Sequence, residues 1–90
     1  MKRDLVLRQQ KQVFLFEKDA GTLCRILGLY AARAIEIDHI QYAHAAPQTM
    51  MLIVTAGADT ETLRVLVSKV ASLFGVIEAA MQTCAFDGSR

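Results

Sequence analysis

Residues 13–32 read VFLFEKDAGTLCRILGLYAA, and this stretch joins a predicted strand to a predicted helix through a short polar turn. The aromatic and branched residues of 13–17 favour a strand. Asp19 is a suitable N-cap for the helix, because its carboxylate can accept hydrogen bonds from the free amides of the first turn. The apolar residues that follow recur at helical spacing, namely Leu23, Ile26, Leu27 and Tyr30.

The same helix carries a second stripe, made of small residues, on which another backbone can pack closely. Its members are Cys24, Gly28, Ala31 and Ala32. Glycine inside a helix costs about 1 kcal/mol relative to alanine. We expect close packing against this stripe to compensate for that cost at Gly28.

Four further elements follow along the chain. They are a strand at 34–43, a strand at 49–56 after a hairpin connection at 45–48, a helix that is capped by Asp59 or Thr60 and ends at Gly75, and a strand at 76–82. The alternation in the first of these strands changes face near residues 38–40, which indicates a β-bulge. The second helix has a predicted buried stripe, consisting of Leu63, Leu66, Val67, Val70 and Phe74.

This order of elements predicts an α+β, ferredoxin-like βαββαβ fold. Right-handed crossovers place both helices on one face of a four-stranded antiparallel sheet, and the second strand is then an outer edge. We expect one domain at residues 12–82, an N-terminal extension at 1–11 and a polar C-terminal tail at 83–90.

Composition and charge exclude several classes of protein. The chain has 90 residues, of which 53% are apolar and 21% charged, as in one globular domain with surplus apolar surface. The net charge is +1, and Asp4 interrupts the basic residues near the start, so we expect no nucleic-acid partner. These basic residues are Lys2, Arg3, Arg8 and Lys11. Neither a signal peptide nor an apolar run of membrane-spanning length occurs, so we expect no membrane association and a cytoplasmic location.

The sequence contains no polar constellation typical of catalysis or metal binding. Cys24 and Cys84 stand far apart, without the short spacing of a zinc site or a disulfide framework. His39 and His44 are five residues apart on a predicted strand, so they tend to face opposite sides. We therefore expect no catalytic residue, no metal and no cofactor in this chain. A small ferredoxin-like enzyme that uses one of the histidines stays open as a third alternative to the two functions given below.

Two stretches of the chain resemble a known family. Residues 16–23, FEKDAGTL, resemble the first loop of an ACT domain, which usually ends in Gly-x-Leu. Residues 25–37, RILGLYAARAIEI, are similar to the small subunits of acetolactate (acetohydroxyacid) synthase, whose first helix reads Arg-Val-x-Gly-Leu-Phe-x-x-Arg. The similarity covers about residues 13–81. It implies an ACT domain that is a non-catalytic regulatory subunit.

The resemblance also implies partners. Small subunits of this family bind and activate a large catalytic subunit, which carries thiamine diphosphate, Mg and FAD. They often transmit feedback by valine or another branched-chain amino acid. The alternative is a stand-alone ACT-domain amino-acid sensor that regulates another metabolic enzyme. ACT domains commonly form homodimers through their second strands and first helices, which puts Cys24, Gly28 and Ala32 at a predicted interface.

The effector site of the family lies where two ACT domains meet, near the first loop and the start of the second strand. The corresponding residues here are Lys18, Asp19, Ala20, Gly21, Thr22, Leu23, Glu36 and Ile37. The amides at the start of a helix suit the carboxylate of an amino acid. The simpler interpretation, in which Asp19 and Gly21 only form a tight capped turn, stays open.

Lys18 and Glu36 depart from the family pattern. Valine-sensitive small subunits usually have asparagine at both positions, and asparagine offers a neutral amide to a zwitterionic ligand. We expect the two opposite charges to lie close together and to pair, which would fill the place of the effector. The chain is therefore expected to activate its partner but to respond poorly to valine.

The predicted first and third strands are apolar on both sides, although helices can cover only one face of the sheet. One apolar set must therefore face outward, and an outward apolar patch usually marks an interface. We expect the large subunit to dock on this face and to contact Met50 or Leu52 there.

Overall fold

The computed structural model describes residues 9–83 of the chain, and the side chains of residues 10–82. The elements are β1 (Gln9–Glu17), α1 (Ala20–Ala32), β2 (Ile37–Ala46), β3 (Thr49–Gly57), α2 (Thr60–Ala71) and β4 (Val76–Thr83). The strands form one sheet in the order β2-β3-β1-β4, and all neighbouring strands are antiparallel. The predicted ferredoxin-like βαββαβ arrangement is confirmed.

The first and last strands both extend beyond the apolar pattern of the sequence. β1 begins at Gln9, because its polar first residues continue the ladder with β3, and β4 ends at Thr83. Lys11 is an exposed residue of β1. The rest of the predicted extension and tail lies outside the described residues, together with Lys2, Arg3, Arg8 and Cys84.

The core lies between the helices and one face of the sheet. Inward and outward residues alternate along β3, as the pleat of a strand requires. The buried apolar residues of the strands are Phe14, Phe16, Met50, Leu52, Val54 and Ala56. Those of the helices are Ile26, Tyr30, Leu63, Leu66 and Val70, and all belong to one cluster.

Met50 and Leu52 therefore belong to the core, and the expectation that one of them faces outward is wrong. Met50 pairs with Phe16, and Leu52 pairs with Phe14, so all four side chains point toward the helices. Since directly paired residues share a face, the residues between them on β3 face the other way.

α2 ends earlier than its apolar stripe predicts. The helix stops at Ala71 with Ser72 as C-cap, and a turn leads to Gly75 at a φ of +90°. The Ser72 amide bonds to Lys69 O, three residues back, so the chain already leaves the α-helical path there. Phe74 lies in the turn and is 90% exposed, so its predicted burial is wrong.

β2 begins at Ile37 rather than at residue 34, and its register shifts between Ile37 and His39. This irregularity confirms the predicted change of face. Beyond it, His39 pairs with Thr55 and His44 with Met50, so the two histidines face opposite sides, as predicted. Both are exposed.

Two glutamines on the inward face of β1 form a buried polar path that the apolar pattern did not predict. The Tyr30 hydroxyl of α1 donates to Gln12 Oε1 at 2.8 Å, and Gln12 Nε2 donates to Gln10 O at 3.0 Å. Gln10 Nε2 donates to Thr60 Oγ1 at 3.2 Å. The path therefore connects β1 to both helices. Burial raises the pKa of Tyr30 well above its usual range.

We expect Tyr30→Phe to lower the free energy of unfolding by about 1–3 kcal/mol, because it leaves the buried Gln12 Oε1 without its donor. Urea unfolding at about pH 7 measures this cost. Tyr42→Phe is the matched control, since Tyr42 is 42% exposed. Equal costs for the two variants would contradict the expectation.

The same variant should change the dependence of stability on pH. The folded protein keeps the phenol of Tyr30 neutral, whereas an unfolded chain ionises it near pH 10. The contribution of this group is therefore present below about pH 10 and is lost as the pH rises further. Between about pH 9 and about pH 11, the free energy of unfolding is therefore expected to fall less for Tyr30→Phe than for the unmodified chain.

Candidate functional site

The first loop and the start of α1 bring most of the predicted effector residues together. Asp19 caps α1 as predicted, because its Oδ1 accepts from Gly21 N and its Oδ2 from Thr22 Oγ1, both at 3.1 Å. Thr22 is buried and Leu23 half-buried, and the exposed residues are Lys18, Asp19, Ala20 and Gly21. Since Asp19 already accepts from the first turn, an effector carboxylate would have to share this helix end with it.

Glycine is not required at position 21 by the turn itself. A Cβ built on Gly21 would lie 3.5 Å from Asp19 Oδ1, which is an ordinary contact. Glycine at position 21 therefore leaves the approach to the start of α1 open, although a Cβ there would not clash with Asp19.

Two backbone hydrogen bonds hold the loop against neighbouring connections. Lys18 N donates to Gln48 O in the β2–β3 hairpin at 3.0 Å, and Glu17 N donates to Gly75 O in the α2–β4 turn at 2.9 Å. The three connections therefore lie together at one end of the sheet, which we call the loop end.

Glu36 and Ile37 lie at the opposite end of the sheet. Ile37 pairs with Ala56, whereas the last residue of β1 is level with Thr49. The seven residue steps from Thr49 to Ala56 span about 23 Å. The prediction that Lys18 and Glu36 lie close enough to pair is therefore wrong within one chain. The reason is that β1 and β2 run parallel, so the end of one and the start of the other are far apart.

Two side chains of β2 that were not among the predicted effector residues lie near the loop end. The ring of Tyr42 stacks on that of Phe16, with 6.2 Å between the centroids and 16° between the planes. His44 pairs with Met50, which is also the partner of Phe16. Both residues are exposed on the helix side of the sheet, and the first loop follows directly after β1. The alternation of β2 beyond its bulge is the signal that places them there.

Within residues 9–83, no group of three or more His, Cys, Asp or Glu side chains could hold a metal ion. None of the helices in this range is long and apolar enough to cross a membrane. A pocket of about 350 Å³ lies where α1 ends and α2 begins, away from the first loop. Its lining residues are Arg33, Asp59, Glu61, Thr62 and Val65.

No family model matches the chain, and no curated protein matches it. Among solved structures, it is similar to the ACT domain from GTP pyrophosphokinase of Chlorobium tepidum, with 17% identity and a TM-score of 0.73 over 84% of this chain and 99% of that chain. It is also similar to the C-terminal domain of the MgtC protein from Mycobacterium tuberculosis, with 14% identity and a TM-score of 0.76 over 92% and 94% of the two chains.

A third similar structure is the acetolactate synthase small subunit from Thermotoga maritima, with 19% identity and a TM-score of 0.71. The match covers 82% of this chain and 47% of that subunit, so the chain spans about half its length. These likenesses establish the fold alone. The chain has the ferredoxin-like fold of an ACT domain.

Proposed function

We propose that this chain is a non-catalytic regulatory subunit of the ACT type, which binds a catalytic subunit and responds to an amino acid. The proposed partner is the large subunit of acetolactate synthase, and the sequence resemblance at residues 25–37 supports that choice. In this proposal thiamine diphosphate, Mg and FAD belong to the partner, and both subunits act in the cytoplasm.

The observation that carries the proposal is the apolar centre of the sheet face away from the helices, which we call the open face. Across β1 and β3, Val13 pairs with Ile53 and Leu15 with Met51. These side chains are half-buried among their neighbours on the sheet, while both helices pack on the other side. A contiguous apolar patch of this kind usually marks an interface.

Polar residues lie toward both ends of this apolar centre along the strands, and Ala80 on β4 and Gln41 and Ala43 on β2 flank it on the two sides. The polar residues toward the ends are Lys11, Glu17, Thr49, Thr55, Glu78 and Gln82. An apolar centre with a polar rim is the usual anatomy of a protein–protein interface. The open face therefore suits a folded protein partner.

We also propose that two copies of the chain pair through β2. This strand is an outer edge of the sheet, and its Ile40 and Tyr42 are 41% and 42% exposed on the helix side. On α1, Cys24, Gly28 and Ala32 are exposed, and a Cβ built on Gly28 would meet nothing within 4 Å. Antiparallel pairing of two β2 edges would place these helix faces side by side.

Such a dimer would reunite the two halves of the predicted effector site. When two copies of β2 run antiparallel, the start of one lies beside the end of the other. Glu36 and Ile37 of the second copy would then approach the loop end of the first, where Tyr42 and His44 lie. We therefore propose a site that two copies complete, and the poor response to valine stays a prediction.

Gly28→Cys in a Cys24→Ser, Cys84→Ser background is expected to form a disulfide-linked dimer under mild oxidation, because Gly28 is exposed at the middle of the small-residue stripe. Electrophoresis without reductant measures it. The control is Ser68→Cys in the same background, since Ser68 is exposed on α2. Equal cross-linking of both variants would indicate random collision and count against the dimer.

Reconstitution with the large acetolactate synthase subunit of the same organism tests the function. We expect the two chains to co-purify and the activity to rise severalfold over that of the large subunit alone. Valine at roughly tens of micromolar should inhibit the complex weakly. A lack of association would contradict this partner, and amino-acid binding by the isolated dimer would then favour the stand-alone sensor.

A further inference from the structure

Two apolar side chains stand exposed at the loop end of the sheet, near the edge formed by β4. Phe74 is 90% exposed in the α2–β4 turn, and Ile77 is 59% exposed where the register of β4 shifts. Leu15 of the open face pairs with Glu78, the residue after Ile77, and the turn that carries Phe74 bonds to Glu17 at the end of the same strand. We call Phe74, Ile77 and Leu15 the Phe74 patch.

The backbone that carries Phe74 is held on both sides. Glu17 N donates to Gly75 O at 2.9 Å, which joins the turn to β1, and Val76 N donates to Leu73 O at 3.2 Å. Gly75 has a φ of +90°, a conformation that other residues rarely adopt. The aromatic ring is therefore presented from a fixed turn, so that binding through it would cost little ordering of the backbone.

Two carboxylates flank this patch. Glu17 and Glu78 are both exposed, and within residues 10–82 neither forms an ion pair. Glu78 pairs with Leu15. Glu17 follows Leu15 by two residues and therefore lies on the same face of β1. On this face of the sheet the rim of the patch therefore carries two negative charges. Lys18, the residue after Glu17, is also exposed, but its amide bonds to the β2–β3 hairpin, on the other side of β1 from the turn that carries Phe74.

The two carboxylates distinguish between the molecules that could cover the patch, namely a second copy of the chain, its own ends or a different protein. Two copies of the chain meeting here would bring their Glu17 and Glu78 carboxylates together, which is unfavourable. The described ends of the chain, Gln9 and Thr83, leave the sheet at the opposite end. A different protein with cationic side chains around an apolar pocket is complementary to the patch.

We propose that the Phe74 patch is the anchor by which this chain docks on its catalytic partner, and that the partner accepts the Phe74 ring in an apolar pocket rimmed by Lys or Arg. The proposal rests on the proposed function and adds a second contact, continuous with the open face through Leu15. Exposed aromatic side chains that become buried on binding often dominate the affinity of an interface.

Titration of the isolated large acetolactate synthase subunit with variants of the full chain tests the anchor. We expect Phe74→Ser to raise the dissociation constant by about 30-fold or more. Val65→Ser, which removes another exposed apolar side chain (42% exposed, on α2), should change it by less than about threefold. Glu17→Gln with Glu78→Gln should weaken the dependence of binding on salt.

The outcomes separate the anchor from the function. If the unmodified chain binds and Phe74→Ser binds within about threefold of it, the anchor is wrong and the proposed function stands. If the unmodified chain does not bind the large subunit, the proposed function fails and the anchor fails with it. If Phe74→Ser lowers the sedimenting mass of the chain on its own, the patch is a contact between copies, and the proposal is overturned.

Discussion

Ile53→Lys is expected to abolish association with the catalytic partner while the domain stays folded. Ile53 lies at the centre of the open face, paired with Val13, and it is half-buried by its neighbours on the sheet. In the free chain, a lysine here can extend its ammonium group into water. In a complex that covers the open face the charge would be buried without a partner, which costs several kcal/mol, or at least about 100-fold in affinity.

The measurement is titration of the large subunit with the variant, together with activation of the enzyme. Circular dichroism and urea unfolding show whether the variant is folded. Val65→Lys is the matched control, because Val65 is exposed on α2 and lies away from the open face. Unchanged association and activation by Ile53→Lys and also by Met51→Lys would show that the open face is not the docking surface.

Leu52→Ala is expected to have the opposite pattern, with a large loss of stability and little effect on docking. Leu52 is fully buried in the core cluster, paired with Phe14 on the face of the sheet that packs against the helices. Removing such a side chain costs about 2–5 kcal/mol, through lost burial and the cavity that remains. Domains of this size are stable by roughly 5–15 kcal/mol, so the variant should unfold at a much lower urea concentration with an unchanged slope.

Ile53→Ala is the matched control for this prediction, since the two residues are neighbours on β3 and differ in the face that they occupy. We expect it to cost less than half as much as Leu52→Ala, because its side chain is only half-buried in the free chain. Equal costs would show that the open face is already covered in the free protein, by a second copy or by other parts of the chain.

The order of the elements, the cap of α1, the hairpin and the bulge in β2 follow from the amino-acid sequence alone. Each of these depends on residues that are close in the chain. The Asp19 cap bonds to Gly21 and Thr22, and the bulge between Ile37 and His39 is visible as a break in alternation. The same local patterns carried the ACT resemblance, and the fold that it implied is confirmed.

The apolar spacing of the sequence predicted the wrong end for α2. Phe74 continues the apolar spacing of α2, but the helix ends at Ala71 because the chain must turn at Gly75 to enter β4. The sequence predicts the turn at Gly75, but it does not show that helical hydrogen bonding already ends at Ser72, whose amide bonds to Lys69 O.

Three features follow from the folded arrangement and not from the sequence: which apolar set faces the helices, how Gln12 is buried and where Glu36 lies. Each depends on contacts between residues that are distant in the chain. Burial of Gln12 is stable because Tyr30, 18 residues later, donates to its side chain. Glu36 is separated from Lys18 because β1 and β2 both pair with β3 and therefore run parallel, so that only a second copy could bring these two charges together.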